Sequence, residues 1–221
     1  MRINADFSSK AVVRPADYRW VESPSPGVLR MMLDRIGGEV ARATSLVRFA
    51  PDTTFSPHVH GGGEEFYVLE GEFGDEHRAY PPGTYVRNPI GTRHTPRIGS
   101  QGCTIFVKLH QFDPADDAQV IVDTRNAPFP LEYAPGVRAI LLHRFGNERV
   151  LLLRCEADAA LMREAQDGGR EIFVLEGSFH DPDGEYPAGT WVRYPHGSAP
   201  DAIAGGSGAL LYVKKGHLPR R

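Results

Sequence analysis

Cysteine is almost missing from this chain: Cys103 and Cys155 are the only two in 221 residues. Each sits in an apolar run (CTIFVKL and VLLLRC), where a thiol behaves as a small buried hydrophobe. A disulfide-stapled secreted scaffold and a Cys-rich zinc module are thereby excluded. Long apolar stretches are missing as well. No run approaches the length of a membrane span, and MRINADFSSK at the N-terminus has no hydrophobic signal core. The expected location is the cytoplasm, away from membranes. Charge of one sign is not in excess either: 25 Lys and Arg stand against 28 Asp and Glu, a formal charge of -3. No basic stripe offers itself to nucleic acid. Finally, no stretch of ten or more residues repeats apolar positions at helical spacing between caps.

What is present is a series of short strand-like runs punctuated by Gly and Pro, of which the chain has 24 and 18. VLRMML, TSLVRF, EFYVLEGEF, TYVRN and TIFVKL occupy the first half. Turns are expected at Pro26-Gly27, Gly37-Gly38, Pro81-Pro82-Gly83 and Ile90-Gly91. The same unit then returns. GGEEFYVLEGEFGDEHRAYPPGTYVRNPIG, from Gly62 to Gly91, reappears without a gap as GGREIFVLEGSFHDPDGEYPAGTWVRYPHG, from Gly168 to Gly197. Upstream, SPGVLRMMLDRIG is answered by APGVRAILLHRFG. Repetition on this scale makes two tandem domains of one fold. The expected division is 1–115 and 116–221, with a linker around Gln111 to Pro130 in which VIVD (Val120 to Asp123) is a strand that could pair with either domain.

The chemistry concentrates in HVHGGGEEFYVLEG and GTRHTP. In an extended segment, side chains alternate with a period of two, so His58 and His60 project from one face and form a chelating pair. Glu64 adds a carboxylate, and His94 arrives from a different strand. Three imidazoles and one carboxylate suit a divalent first-row transition metal.

The second copy serves as an internal control. Its counterparts of His58, His60, Glu64 and His94 are Glu164, Gln166, Arg170 and Pro200. The turn glycines Gly71, Gly83 and Gly91 persist as Gly177, Gly189 and Gly197. A barrel that keeps its turns without the imidazoles does not need them to fold. Glu65 and Arg87 also persist, as Glu171 and Arg193, so the ligand is assigned to Glu64 and a structural pairing to Glu65 with Arg87.

These strings resemble the two cupin motifs, G-x5-H-x-H-x3,4-E-x6-G and G-x5-P-x-G-x2-H-x3-N. His58, His60, Glu64 and Gly71 fit the first; Gly83, Pro89, Gly91 and His94 fit the second. Asp52 replaces the opening Gly and Ile98 the closing Asn. The resemblance implies an all-β chain of two jelly-roll barrels, a bicupin whose second copy is degenerate.

A finer resemblance, to the cupin domain of ChrR-type anti-sigma factors, rests on HVHGGGEE with VLEG, YPPGTYVRNP, GTRHTP and GCTIFVKL. It implies zinc at His58, His60, Glu64 and His94, and a sensing role in the oxidative stress response, with a small molecule or oxidant as signal. A sigma factor is not expected as partner: nothing before Ser25 carries the His-x3-Cys-x2-Cys spacing of the anti-sigma domain. A homodimer is compatible with the pattern. The other reading is a metal-dependent oxygenase, in which the same four side chains hold iron, manganese or nickel with two positions left for O2 and substrate.

Overall fold

The structure, a computed structural model, describes residues 1–162 and 165–219, with the backbone alone for Met162. It is built of strands. The one helical element among the described residues is a single 3-10 turn at Pro15–Asp17, and none of their helices is long and apolar enough to cross a membrane. The strands form two nine-stranded antiparallel sheets and a two-stranded ribbon.

The first sheet runs, in spatial order, Arg2–Ile3, Val28–Gly37, Ala41–Phe49, Arg97–Leu109, Glu64–Gly74, Thr84–Asn88 and Val120–Asp123. Strand alternation sorts its side chains. Phe66 and Val68 face inward with Val47, Phe73, Ile105 and Val107 to form the core. Glu65 and Tyr67 point to the opposite face, where Tyr85 donates to Glu65 Oε2 at 2.8 Å and Arg87 Nη1 at 3.1 Å. Arg87 is buried, bridges on to Asp116, and lies 3.8 Å above the Phe112 ring. The pairing of Glu65 with Arg87 is therefore as expected, and both are turned away from the barrel interior.

The second sheet repeats this order with Leu131–Ala134, Val137–Phe145, Glu148–Cys155, Ala202–Lys215, Arg170–Asp181, Trp191–Tyr194 and Ala11–Val13. Its core holds Leu153, Ile172, Val174, Phe179, Leu211 and Val213, the counterparts of the first set. The shared glycines have a steric cause. A Cβ on Gly71 would overlap the Gly102 carbonyl, and one on Gly177 would overlap that of Gly208. Both pairs lie where the strand registers shift.

The two compact units exchange strands. One comprises Met1–Ala5 with Arg19–Ala127, the other Asp6–Tyr18 with Pro128–Arg221. Val120–Asp123, from the linker, completes the first sheet against Thr84–Asn88. Ala11–Val13, which precedes the first barrel in sequence, completes the second against Trp191–Tyr194. These contacts divide the chain differently from 1–115 and 116–221 at two segments, residues 6–18 and 116–127. The reason is that an edge strand pairs with whichever ladder accepts it, and chain order does not encode that choice.

Candidate metal centre

Backbone pairing brings the four side chains together. His58–Val59 lies antiparallel to Arg93–His94, with His58 directly opposite His94. The ladder continues as His60 N donates to the Thr92 carbonyl at 2.9 Å. Glu64 opens the strand that follows the glycine turn. Gly62 is required in that turn because a Cβ there would collide with the ring of His110. His60 Nε2 is 3.3 Å from His94 Nε2 and 3.3 Å from Glu64 Oε2, and His94 Nε2 is 3.6 Å from the same oxygen. One donor atom from each of His58, His60, Glu64 and His94 falls within 4.8 Å of all the others.

The ring nitrogens that point away are tied down. Thr92 donates its hydroxyl proton to the Pro89 carbonyl at 2.6 Å, so its Oγ1 accepts from His60 Nδ1 at 2.9 Å. His58 Nδ1 faces the Ser56 carbonyl at 3.2 Å, an atom that only accepts. Both rings thus carry their proton on Nδ1 and leave the Nε2 lone pair free for a cation. His94 Nδ1 faces Asp75 Oδ2 at 3.9 Å, and Asp75 is held by Tyr80 at 2.7 Å. Asn88 Nδ2 donates to Glu64 Oε2 at 3.3 Å.

The electrostatics favour the ligating forms. Burial would raise the pKa of Glu64, but His60, His94 and His58 outweigh it and hold the carboxyl below its ordinary value. Burial lowers the pKa of His94, against the pull of Glu64, and favours the neutral imidazole. A carboxylate held in its anionic form beside imidazoles whose Nε2 atoms converge is the donor chemistry a divalent transition metal requires, and the four residues fit one.

The equivalent place in the second barrel is stripped of ligands and rebuilt around a tyrosine. Glu164, the counterpart of His58, lies outside the described residues. Tyr194 stands where the first barrel has Asn88. Its hydroxyl donates to Asp181 Oδ2 at 2.6 Å, and Asp181 is the counterpart of Asp75. The phenol is thereby tied to the counterpart of the residue that faces His94 in the first barrel. Asp181 also accepts from Tyr186 at 2.8 Å and from Lys10 Nζ at 2.5 Å, and that ammonium lies 5.0 Å from the centre of the Tyr194 ring.

Comparison with known proteins adds the lineage. The family described as the ChrR cupin-like domain matches twice, over residues 8–113 and 117–219. The chain belongs to the ChrR cupin-like family. Each match covers most of one barrel of this ChrR-like bicupin together with the edge strand that completes the other barrel's sheet. Among solved structures, a candidate dioxygenase from Nostoc punctiforme aligns over 97% of this chain and 81% of its own, with 16% identity and a TM-score of 0.74. A candidate glyoxylate-induced protein from Pseudomonas aeruginosa aligns over 96% and 91%, with 15% identity and a TM-score of 0.75. The bacterial pirin YhhW from Escherichia coli, in complex with nickel(II), aligns over 96% and 100%, with 13% identity and a TM-score of 0.67. At these identities the likeness is one of fold. No curated protein sequence matches significantly.

Glu65 and Arg87, the pair the repeat marks as structural, face away from the centre. Thr92, Asn88, Asp75 and Tyr80 are the groups that actually surround it. Asn88 carried a signal, since the repeat replaces it by Tyr194. Thr92 is nearly conserved between copies, as Ser198, and Asp75 and Tyr80 are fully so, which hid them.

Proposed function

We propose that this protein binds a divalent transition metal in its first barrel, through His58, His60, Glu64 and His94, and presents it to a small molecule inside that barrel. The observation that carries this reading is spatial. His58, Glu64 and His94 also line a 790 Å3 cavity in the barrel, a size that suits small-molecule sites. A bound metal would supply a Lewis-acidic position for an oxygen donor of the ligand. The chain's residues do the rest: Thr92 and the Ser56 carbonyl orient two imidazoles, Asn88 holds Glu64, and the apolar walls exclude water. Zinc fits a sensor that reads the ligand or an oxidant without turning it over, in keeping with the family resemblance. The work is placed in the cytoplasm.

A metal-dependent oxygenase is the second reading, and the cavity at the centre favours it too, because a closed site would leave substrate nowhere to go. Elemental analysis of the purified protein, combined with oxygen-electrode measurements on the metal-loaded form, separates the two. Stoichiometric zinc without oxygen uptake supports the sensor. Iron, manganese or nickel with substrate-dependent uptake supports the oxygenase. A purified protein that holds no transition metal, even after incubation with these ions, refutes both.

A further inference from the structure

The repeat places two cavities at equivalent positions in the two barrels, and their walls differ in charge. In the second barrel a 650 Å3 cavity is lined by Ala160, Leu161, Gln166, Arg170 and Lys215. The first barrel has Thr54, Phe55, His60, Glu64 and Leu109 at those positions. Two cations of the second wall thus correspond to the carboxylate Glu64 and to the apolar Leu109. Among the described residues, no Lys or Arg lines the first cavity.

Beyond the His and Glu set, the first cavity is apolar: Phe49, Phe55, Phe73, Ile105, Val107 and Leu109 are its principal walls. Its polar groups are hydroxyls, including Ser25, Thr54 and Ser56. The rings are ordered. Phe73 lies 5.9 Å from His94 at a tilt of 36°, Phe49 stands edge-on 5.7 Å from Phe73, and Phe55 edge-on 5.5 Å from Phe49. A ladder of aromatic edges and faces leads away from the ligand cluster along the cavity. Such a wall holds flat rings by area and quadrupole, and it gives a buried charge no partner.

We infer that the ligand of the first barrel is an aromatic molecule with an oxygen-donor head directed at the metal and an uncharged body seated against Phe73, Phe49 and Phe55. This rests on the metal-centre reading above. A ligand with a second anionic group at its far end is rejected, because that group would sit among Phe, Ile, Val and Leu with no counter-ion. The hydroxyls accept a neutral polar substituent.

The test keeps the head constant and varies the tail. Metal-loaded protein is titrated with 2,3-dihydroxynaphthalene and, separately, with its 6-sulfonate, following the ligand's fluorescence. Both carry the same pair of oxygens, so their intrinsic attraction to the metal is similar. The sulfonate should bind at least about tenfold more weakly than the diol. The variant Phe55→Lys, on a half-buried loop position, should keep its metal and narrow or invert that ratio. Equal or tighter binding of the sulfonate by the wild-type protein overturns the inference, as does failure of both compounds to bind when metal content is stoichiometric. Absence of metal overturns the underlying reading instead.

Discussion

Thr92 Oγ1 sits 2.9 Å from His60 Nδ1 and spends its own proton on the Pro89 carbonyl. The hydroxyl therefore fixes the imidazole tautomer, a task that valine cannot perform despite its similar shape. Thr92→Val should weaken metal binding by about 10- to 100-fold, the usual cost of losing such an outer partner. Thr92→Ser should restore most of it. Competition with a chromogenic chelator measures both, and an unchanged affinity in the valine variant would remove Thr92 from the centre.

His60→Ala should abolish stoichiometric metal and, with it, any thermal stabilisation by added metal. Saturating a site at 100 times its dissociation constant stabilises the folded state by about 2.7 kcal/mol, so the wild-type shift is readily seen by calorimetry. Gln166→Ala, at the equivalent position of the second barrel, should leave metal content and the shift untouched. A loss there would place a metal in the wrong barrel.

Much of this arrangement was legible in the sequence, for reasons of geometry. Alternation along an extended chain put His58 and His60 on one face, and the repeat singled out Glu64 by replacing it with Arg170. The strands and their turns followed from apolar runs and glycines that recur because their backbones touch Gly102 and Gly208. What could not be read were contacts between residues far apart in the chain. Nothing local in TRHTP tells that the Thr92 hydroxyl meets His60, and nothing in AVV tells that Ala11–Val13 ends beside Trp191. The bond from Tyr194 to Asp181 was also hidden, because an Asn-to-Tyr difference says nothing about where the ring points.

The second barrel should depend on Lys10. Asp181 is almost fully buried, and Lys10 supplies the one cation bonded to it among the described residues. Lys10→Met should destabilise this barrel by about 2 kcal/mol, a typical value for a hydrogen bond to a charged group. Trp191 is fully buried in the same barrel, so its fluorescence during urea unfolding, read in a Trp20→Phe background, reports the change. An unchanged Trp191 transition would contradict the assignment.

The same carboxylate imposes a pH dependence. Burial would raise the pKa of Asp181, but bonds from Lys10, Tyr194 and Tyr186 more than offset it and leave the group below its ordinary value. A carboxyl depressed in the folded state stabilises that state above its unfolded pKa, about 3.9, and the contribution is lost as pH falls through the lower folded value. Trp191-detected stability should therefore decline below about pH 4. In Asp181→Asn the decline over that window should be shallower, from a lower plateau. An equally steep decline in the variant would assign the titration to another group.

The reciprocal exchange of edge strands has a consequence for how this protein is made. A ribosome releases Ala11–Val13 well before the ladder that receives it, Trp191–Tyr194. The first barrel can close once Val120–Asp123 is out, while Ala11–Val13 waits for its partner until Tyr194 has been made. A gene cut between codons 115 and 116 would yield one product with an orphan strand at its front and another lacking a rung. Only the unbroken chain supplies each barrel with its last strand.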